Sequence, residues 1–592
     1  MRRFSITQNA TRLFVFSFLV LFFELVCIRW LSSYVLYLGY FTNFVLLGCL
    51  LGIGAGALLA NHRVRFINYL PVILFTFFSL ILFTQPQVNP DTQNFIYFTT
   101  SVAWLRLPAY LLLPVIFINI TIIFTSLSQE LGYLLNKYAP LKAYNLNILG
   151  SLAGILGFTL LGYFSSPSWT WFLITAAILI LLLPRNRFFG RNLILLVGLV
   201  VMIAASDYAF NNLWSPYYRV NMLEIRGSER SRVKFPRVNE GVDNYVVFAN
   251  GIGHQELTSV SKNYPFYNLP YTAFAEKPNY ENVLVIGSGG GNDVSFVLAN
   301  NVKHVDAVEI DPLIAKLGVT YHPEKPYNDP KVSLYINDAR NFLENSNAKY
   351  DLVIYALPDS LILAANSSNI RLESYLFTLE AFQSVKEHLK PDGLFVLYNY
   401  YRSEWLINKI TMMLQTVFGS PVYYYYDNSA KNPTAFATMF AGPKAIQLDN
   451  SSLTIQRATT NELISATDNW PFLYLRDPGL PTFYSISLII ILGISALYIT
   501  LVSPNNTLKM SGVPFFFMGA AFTLLETKSI VNFLLLFGAT WVVNSLVFFA
   551  ILLVVLIANA LAARFRFSKI WVLYALLFIA LLLNFIHFVG IP

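Results

Sequence analysis

Eleven long apolar runs, seven before and four after one polar stretch of about 270 residues, constrain this chain more than any other feature. A helix that crosses a bilayer needs about 20 mostly apolar residues. The runs fall at 13–33, 35–60, 67–84, 107–127, 143–164, 168–184 and 192–209 before Trp214, and at 484–502, 512–532, 538–562 and 570–591 after Leu480. The first is too long for the apolar region of a signal peptide, contains Glu24, and leads into the second without a small-residue cleavage site, which predicts a retained helix. Charged residues make up 12% of the chain, about half the usual share, and this excludes a wholly soluble, disordered or disulfide-scaffold protein. Cys27 and Cys49 both lie in apolar runs and read as small buried hydrophobes. The expectation is a multi-pass α-helical membrane protein with an inserted α/β domain. Residues 1–210 would form a bundle of about seven helices, 211–484 the insert, and 485–592 about four further helices.

The net charge of +8 resides largely in the loops between runs. Arg2, Arg3 and Arg12 precede the first run, Arg63 and Arg65 follow the second, Lys137 and Lys142 the fourth, and Arg185, Arg187 and Arg191 the sixth. Lys509, Arg564, Arg566 and Lys569 continue the alternation, while the other loops hold little but Arg106. The positive-inside rule makes the basic loops cytoplasmic and places the insert, in a cell-membrane protein, on the extracytoplasmic side. Two acids lie within the runs. Glu24 in Phe22-Phe23-Glu24 and Glu526 in Leu524-Leu525-Glu526 suggest a parallel internal repeat, each being followed by a Gly and an Asn. Intramembrane carboxylates point to function, as in a cation-coupled transporter, or to helix-packing ion pairs of Glu24 with Arg29 and Glu526 with Lys528.

Within the insert, apolar strands alternate with helices from Asn282 onward: 283–286, 305–309, 332–336, 351–355 and 395–398 as strands, with helices at 293–299, 312–317 and, longest, 373–389. This pattern predicts a parallel sheet covered on both faces, with ligands at the carboxyl ends of its strands. The first strand runs into Gly287-Ser288-Gly289-Gly290-Gly291-Asn292-Asp293, which brings backbone N–H groups close to a ligand or simply makes a tight turn. Glu309, 22 positions past Gly287, is placed to accept the hydroxyls of a ribose, and Asp338, after the third strand, to accept from an adenine amino group. Together these point to an adenosine-bearing ligand. Asn292 stands where the nicotinamide fingerprint has its last glycine.

The G-x-G-x-G spacing is similar instead to class I methyltransferase folds. From Ser215 to about Phe440 the chain resembles spermidine synthases (polyamine aminopropyltransferases), and over nearly its whole length their membrane-embedded bacterial relatives. The resemblance rests on Ser215-Pro216-Tyr217-Tyr218, on Asn250-Gly251 with Gln255, and on Tyr267-Asn268. It continues through the glycine loop, Glu309-Ile310-Asp311, Asn337-Asp338-Ala339-Arg340, Tyr350-Asp351 and Arg371-Leu372-Glu373-Ser374-Tyr375. Outside the insert it includes Phe23-Glu24, Tyr144-Asn145-Leu146-Asn147-Ile148-Leu149-Gly150, Asn469-Trp470-Pro471-Phe472-Leu473-Tyr474 and Leu524-Leu525-Glu526-Thr527-Lys528. It implies a Rossmann-like domain of class I methyltransferase type preceded by a small β region, with S-adenosylmethionine or its decarboxylated form as cosubstrate. Gly287, Gly289, Gly291, Glu309 and Asp338 would hold that cosubstrate, and Tyr218, Gln255, Tyr267, Asp293 and Glu373 the substrate.

The sequence also departs from the family. The Asp that helps hold the aminopropyl ammonium is replaced by Gly290, and the Asp that helps deprotonate the attacking amine by Ala356, which leaves Asp359 as the catalytic candidate. A polyamine is multiply cationic and needs such acids to replace its hydration. Three readings remain open. One is a membrane-bound transferase, whose acceptor is an amine or, for methyl transfer, a lipid-like molecule near the bilayer. Another is a non-catalytic nucleoside-binding domain, and the third a transporter using Glu24 and Glu526. No His cluster, Cys pair or carboxylate spacing suggests a metal, and no basic-aromatic pattern suggests nucleic acid. His254 reads as a surface turn residue, and Tyr423 to Tyr426 as an edge strand.

Overall fold

The computed structural model describes residues 2–585 apart from 36–37, 39–42, 86–108, 228, 234–241, 243, 263, 357–371, 402–403, 428–435, 449–453, 457–462, 478, 480–481, 504–511, 539 and 566–569. Each apolar run contains a helix. The first seven are α1 (Arg2–Tyr34), α2 (Asn43–Leu58), α3 (Leu70–Thr84), α4 (Ala109–Leu135), α5 (Pro140–Tyr163), α6 (Ser168–Leu182) and α7 (Phe189–Phe210). Seven helices among the described residues are long and apolar enough to cross a membrane; α2, α3 and α6 are shorter. Glycines four apart on α2, at 48, 52 and 56, let it lie directly against α4, where a Cβ on Gly52 would come within 2.5 Å of the Thr121 carbonyl. Gly150 and Gly154 bring α5 equally close to α1. The Tyr144–Gly150 motif faces two ways, with Asn147 accepting from the Ser17 hydroxyl of α1 (2.8 Å) and Asn145 meeting Asn559 of the C-terminal helices.

The basic loops after α2 and α6 meet near the end of α4 at one end of this bundle, whereas Lys509, Arg566 and Lys569 lie outside the described residues. Arg65 pairs with Glu130 near the end of α4 (3.6 Å), and Arg191 donates to the Asn68 carbonyl (3.0 Å). The insert joins the other end. There the Asp207 carboxylate of α7 accepts from Ser168 at the start of α6 (2.7 Å) and from the Trp214 indole (3.2 Å).

The insert opens with a small antiparallel sheet: β1 (Leu213–Trp214), β2 (Arg219–Arg226), β3 (Glu229–Arg232), β4 (Asn244–Ala249) and β5 (Ile252–Leu257). Helix α8 (Pro265–Thr272) leads to β6 (Asn282–Ile286), α9 (Asn292–Leu298), β7 (His304–Glu309), α10 (Pro312–Tyr321), β8 (Val332–Ile336), α11 (Ala339–Glu344) and β9 (Tyr350–Ala356). Then come α12 (Leu379–His388), β10 (Leu389–Tyr400), α13 (Glu404–Phe418), β11 (Val422–Asp427), β12 (Phe436–Ala441) and β13 (Thr454–Gln456). The eight strands from β6 order as β13-β11-β12-β10-β9-β6-β7-β8, parallel from β8 to β10 and antiparallel beyond. Strand order reverses between β6 and β9, the switch point at which such sheets bind ligands. This is the Rossmann-like sheet of methyltransferase type. Four C-terminal helices follow: α14 (Thr482–Val502), α15 (Val513–Phe537), α16 (Trp541–Arg564) and α17 (Ile570–Phe585).

Two expectations of local structure fail. The segment 373–389 is not one helix: a 3-10 turn (Leu372–Phe377) is cut off from α12 by Thr378, whose hydroxyl accepts from Ala381 N–H (3.2 Å) and starts a new helix. Such side-chain competition for backbone donors ends helices where apolar periodicity continues. β11 is not an edge strand, because it pairs with β12 along Tyr423 to Asp427 and with β13 at Val422, Tyr423 and Tyr424.

Bundle and insert are joined through Arg29. Its guanidinium, buried at the insert end of α1, donates to the carbonyls of Tyr217 and Ser215 (2.7 Å to Ser215). Ser215 Oγ in turn donates to Asp311 (2.6 Å) and accepts from the N–H groups of Tyr217 and Tyr218. Arg29→Met would leave two buried carbonyls unpaired, at about 1–3 kcal/mol each. The expected outcome is a clearly lowered melting temperature of the detergent-solubilised protein, only partly recovered by Arg29→Lys. An unchanged melting temperature would show that this joint does not hold the two parts together.

Candidate nucleoside site

The loop after β6 hangs on β7. Gly287 and Ser288 N–H both donate to the Val308 carbonyl (2.9 and 3.0 Å), and Gly289 N–H donates to Glu309 Oε2 (2.8 Å). Gly289 and Gly291 have φ of 56° and 100°, a region in which other residues are strained. Glu309 Oε1 accepts from Asp311 N–H (2.8 Å). Burial raises the Glu309 carboxyl to about 7, against the pull of these two donors. Tyr327, which sequence reasoning missed, fixes the loop from below, its hydroxyl 2.7 Å from the Gly289 carbonyl and 2.9 Å from Ser288 Oγ. A tyrosine 40 residues downstream of the loop gives no pattern that spacing could have revealed.

Gln255 of β5 reaches the same loop. Its Oε1 accepts from Gly290 N–H (3.0 Å), while its buried Nε2 has no hydrogen-bond partner among the described residues. A buried donor without a partner beside a glycine loop is a place for a ligand acceptor. Gly290 itself is enclosed. A Cβ there would lie 2.1 Å from Leu257 Cδ2, and a Cβ on Gly318 of α10 would lie 2.4 Å from the Gly290 carbonyl. An Asp at this position would require the Leu257 and Gln255 side chains to turn aside. Ala356, at the end of β9, is buried, and Asp359 lies outside the described residues.

Asp338 caps α11, accepting from Asn341 N–H (2.9 Å). The turn between α15 and α16 rests on it: a Cβ on Gly538 would lie 2.9 Å from the Cβ atoms of Asp338 and Asn341. Asp293 sits in the first turn of α9, where burial raises it to about 8, so at neutral pH it is a protonated acid able to donate. Tyr218 is buried beside Ser215. Tyr267 stacks on Phe296 (4.6 Å) and its hydroxyl accepts from Asn292 (3.2 Å), which makes it part of the packing that supports the loop. Asn292 also accepts from Thr258 N–H and from the buried imidazole of His322, so its amide clamps β5 against α9. Glu373 lies in the 3-10 turn before α12, and its side chain is outside the described residues.

Two further readings need correction. His254 lies in β5, not in a turn, with its ring 6.2 Å from that of Tyr218, and burial lowers it to about 4, keeping it neutral. Glu24 and Arg29 do not form an ion pair, because the guanidinium is engaged by the Ser215 and Tyr217 carbonyls. Glu526, on α15, is close enough to Glu24 for electrostatic repulsion.

Restoring the family's acid at the loop would not restore its chemistry. Gly290→Asp is expected to overpack against Leu257, at about 1–3 kcal/mol, and to lower the melting temperature. If the protein instead melted unchanged and gained polyamine binding by calorimetry, the packing described here would be wrong.

A family model described as Spermine/spermidine synthase domain matches residues 269–437. A polyamine aminopropyltransferase of Oceanobacillus iheyensis is 25% identical over 370 residues, which cover 58% of this chain and 68% of the relative. One of Clostridium perfringens is 33% identical over 129 residues, 21% of this chain and 42% of the relative, so the chain spans less than half of that protein's length. The crystal structure of spermidine synthase from Thermotoga maritima is 19% identical, covering 46% of this chain and 89% of that one with a TM-score of 0.29. The insert is thus similar to spermidine synthases, on a Rossmann-like sheet of methyltransferase type with apolar helices on both sides of it.

Proposed function

We propose that the insert binds S-adenosylmethionine or its decarboxylated form, as the nucleoside half of a membrane-bound transferase whose acceptor is not a polyamine. The observation that carries this is Glu309, whose two oxygens hold the Gly289 and Asp311 N–H groups at the carboxyl end of the sheet and retain lone pairs for two ribose hydroxyls. Asp338 and Gln255 Nε2 would take the adenine amino group and a further acceptor of the ligand. When bound, the sulfonium supplies an electrophilic carbon whose C–S bond breaks to leave a neutral thioether. The chain's part is to orient that carbon towards an amine or lipid-like acceptor, which is chiefly a matter of positioning. Polyamine transfer is disfavoured because Gly290 and Ala356 carry no acid where the resemblance would place one, and the Leu257 side chain crowds Gly290.

A second reading, binding without turnover, is favoured by the turn at Gly538. A ligand held by Asp338 would touch the α15–α16 turn directly, as a nucleoside-responsive domain coupled to the helices requires.

Calorimetric titration of the solubilised protein with each ligand tests the site. Glu309→Ala and Asp338→Ala are each expected to weaken binding tenfold or more, because polar groups of the ligand lose their partners. Undiminished binding in both would remove the assignment, and binding without product formation would select the second reading. Ribose hydroxyls favour the ionised carboxylate, so affinity should rise about tenfold from pH 6 to pH 8 through the Glu309 value of about 7, with a proton released on binding. Glu309→Gln should flatten this profile.

The insert's place at the end of the bundle opposite the basic loops supports an extracytoplasmic domain. In an Arg230→Cys variant the introduced thiol lies on an exposed strand, whereas Cys27 and Cys49 are buried. A membrane-impermeant maleimide applied to intact cells is expected to label it; labelling only after lysis would place the insert inside.

A further inference from the structure

A cavity of about 90 Å³ lies between α1, α5 and α16, closed on the insert side by Ser215 and Pro216. Its wall is mostly carbon, from Leu25 and Ile28 of α1, Phe158 of α5, and Trp541 and Phe548 of α16. Glu24 opens into it. This side chain is 5% exposed and has no hydrogen bond or ion pair among the described residues. Arg29, five residues on, also lines the cavity, but its guanidinium is engaged above with the Ser215 and Tyr217 carbonyls. The nearby charge that acts on Glu24 is Glu526, of the same sign.

A carboxyl group in such surroundings is kept neutral by a proton or is matched by a counter-cation. A bare metal ion would need six or more oxygen ligands, which a mainly hydrocarbon wall with one carboxylate does not offer. The volume is that of about three water molecules, enough for an ammonium group and a short alkyl stem. We propose that this cavity binds a primary alkylammonium, its nitrogen on Glu24 and its stem along Leu25, Ile28, Phe158 and Phe548. The site is separate from the nucleoside pocket and needs no nucleoside to fill it. Its natural occupant is either a free amine or the ammonium headgroup of a membrane lipid.

The test uses the full-length protein in phosphatidylcholine nanodiscs, with n-butylammonium chloride as probe. The melting temperature is expected to rise saturably with n-butylammonium, and not with equal concentrations of n-butanol or sodium chloride. Glu24→Gln should raise the half-saturating concentration at least tenfold. Ser545→Phe, which fills the cavity from α16 and leaves Glu24 intact, should abolish the shift, and it decides the matter if Glu24→Gln does not fold. Nanodiscs containing phosphatidylethanolamine distinguish the sources: a lipid occupant raises the melting temperature and suppresses the n-butylammonium response, whereas a free-amine site responds unchanged. An equal shift with n-butanol would reduce the site to an apolar void, an equal shift with sodium would make it an inorganic cation site, and a shift that survives both substitutions would place the amine elsewhere. Any of these overturns the proposal.

Discussion

The buried guanidinium of Arg29 is the constraint on which the rest of this structure depends. It projects from the end of an apolar helix, with no carboxylate paired to it directly, and is satisfied by two carbonyls of the turn at Ser215–Tyr217. The same turn is held by the Ser215 hydroxyl to Asp311, which caps α10 through the N–H groups of Leu313 and Ile314. One serine thus serves both charges, its carbonyl accepting from the guanidinium and its hydroxyl donating to the carboxylate. Removing one member of such an arrangement typically costs more than the intact set contributes, because a charge is left behind in a poor solvent. Further attachments include the Tyr34 ring under Arg219, the Asp207 carboxylate accepting from the Trp214 indole, and the Ala209 carbonyl accepting from Arg232.

From this joint the geometry extends without a break to the nucleoside site. Asp311 is two residues from Glu309, and the Glu309 carboxylate holds both the Asp311 N–H and the Gly289 N–H. A change in how α1 meets the insert must alter Ser215, then Asp311, and with it the donors that hold Glu309. Reciprocally, a ligand that recruits the lone pairs of Glu309 competes with the bonds that set the loop. Linkage requires any such coupling to act equally in both directions. The turn at Gly538 adds a second contact, from the C-terminal helices to Asp338. Both acids assigned to the adenosine moiety therefore communicate with apolar helices, which a free-standing soluble domain would not need.

Much of this architecture was legible because it is periodic. The eleven apolar runs became helices, and the short apolar strands became the parallel part of the large sheet. The glycine loop and the acids after β7 and β8 fell at consecutive strand ends. Features missed or misread depend on contacts between distant segments. Lys409 of α13 is almost fully buried and donates to the Phe472 and Leu475 carbonyls, which explains the Trp470–Tyr474 motif; as one cation on an amphipathic helix it carries no signal. Arg340 likewise meets Asp468, 128 positions away, in a bidentate pair. An ion pair of Glu24 with Arg29 is one of two readings the sequence leaves open, and backbone carbonyls of the insert take the guanidinium instead. The apolar period at 373–389 concealed a local choice by Thr378, and the tyrosine run at 423–426 concealed a short strand that covers it.

The departures from the aminopropyltransferase pattern differ in kind from these misreadings. A lost acid can be an open vacancy, ready to be refilled by one substitution, or it can be built over. At Gly290 a Cβ would meet the ends of the Leu257 and Gln255 side chains, at 2.1 and 2.9 Å, so an aspartate there needs both side chains to turn aside. Beside the glycine loop, Glu309 retains acceptor capacity and Gln255 Nε2 has no hydrogen-bond partner among the described residues. Crowding where the resemblance would put an acid, beside retained acceptor and donor groups at Glu309 and Gln255, is the pattern expected under the proposed change of acceptor.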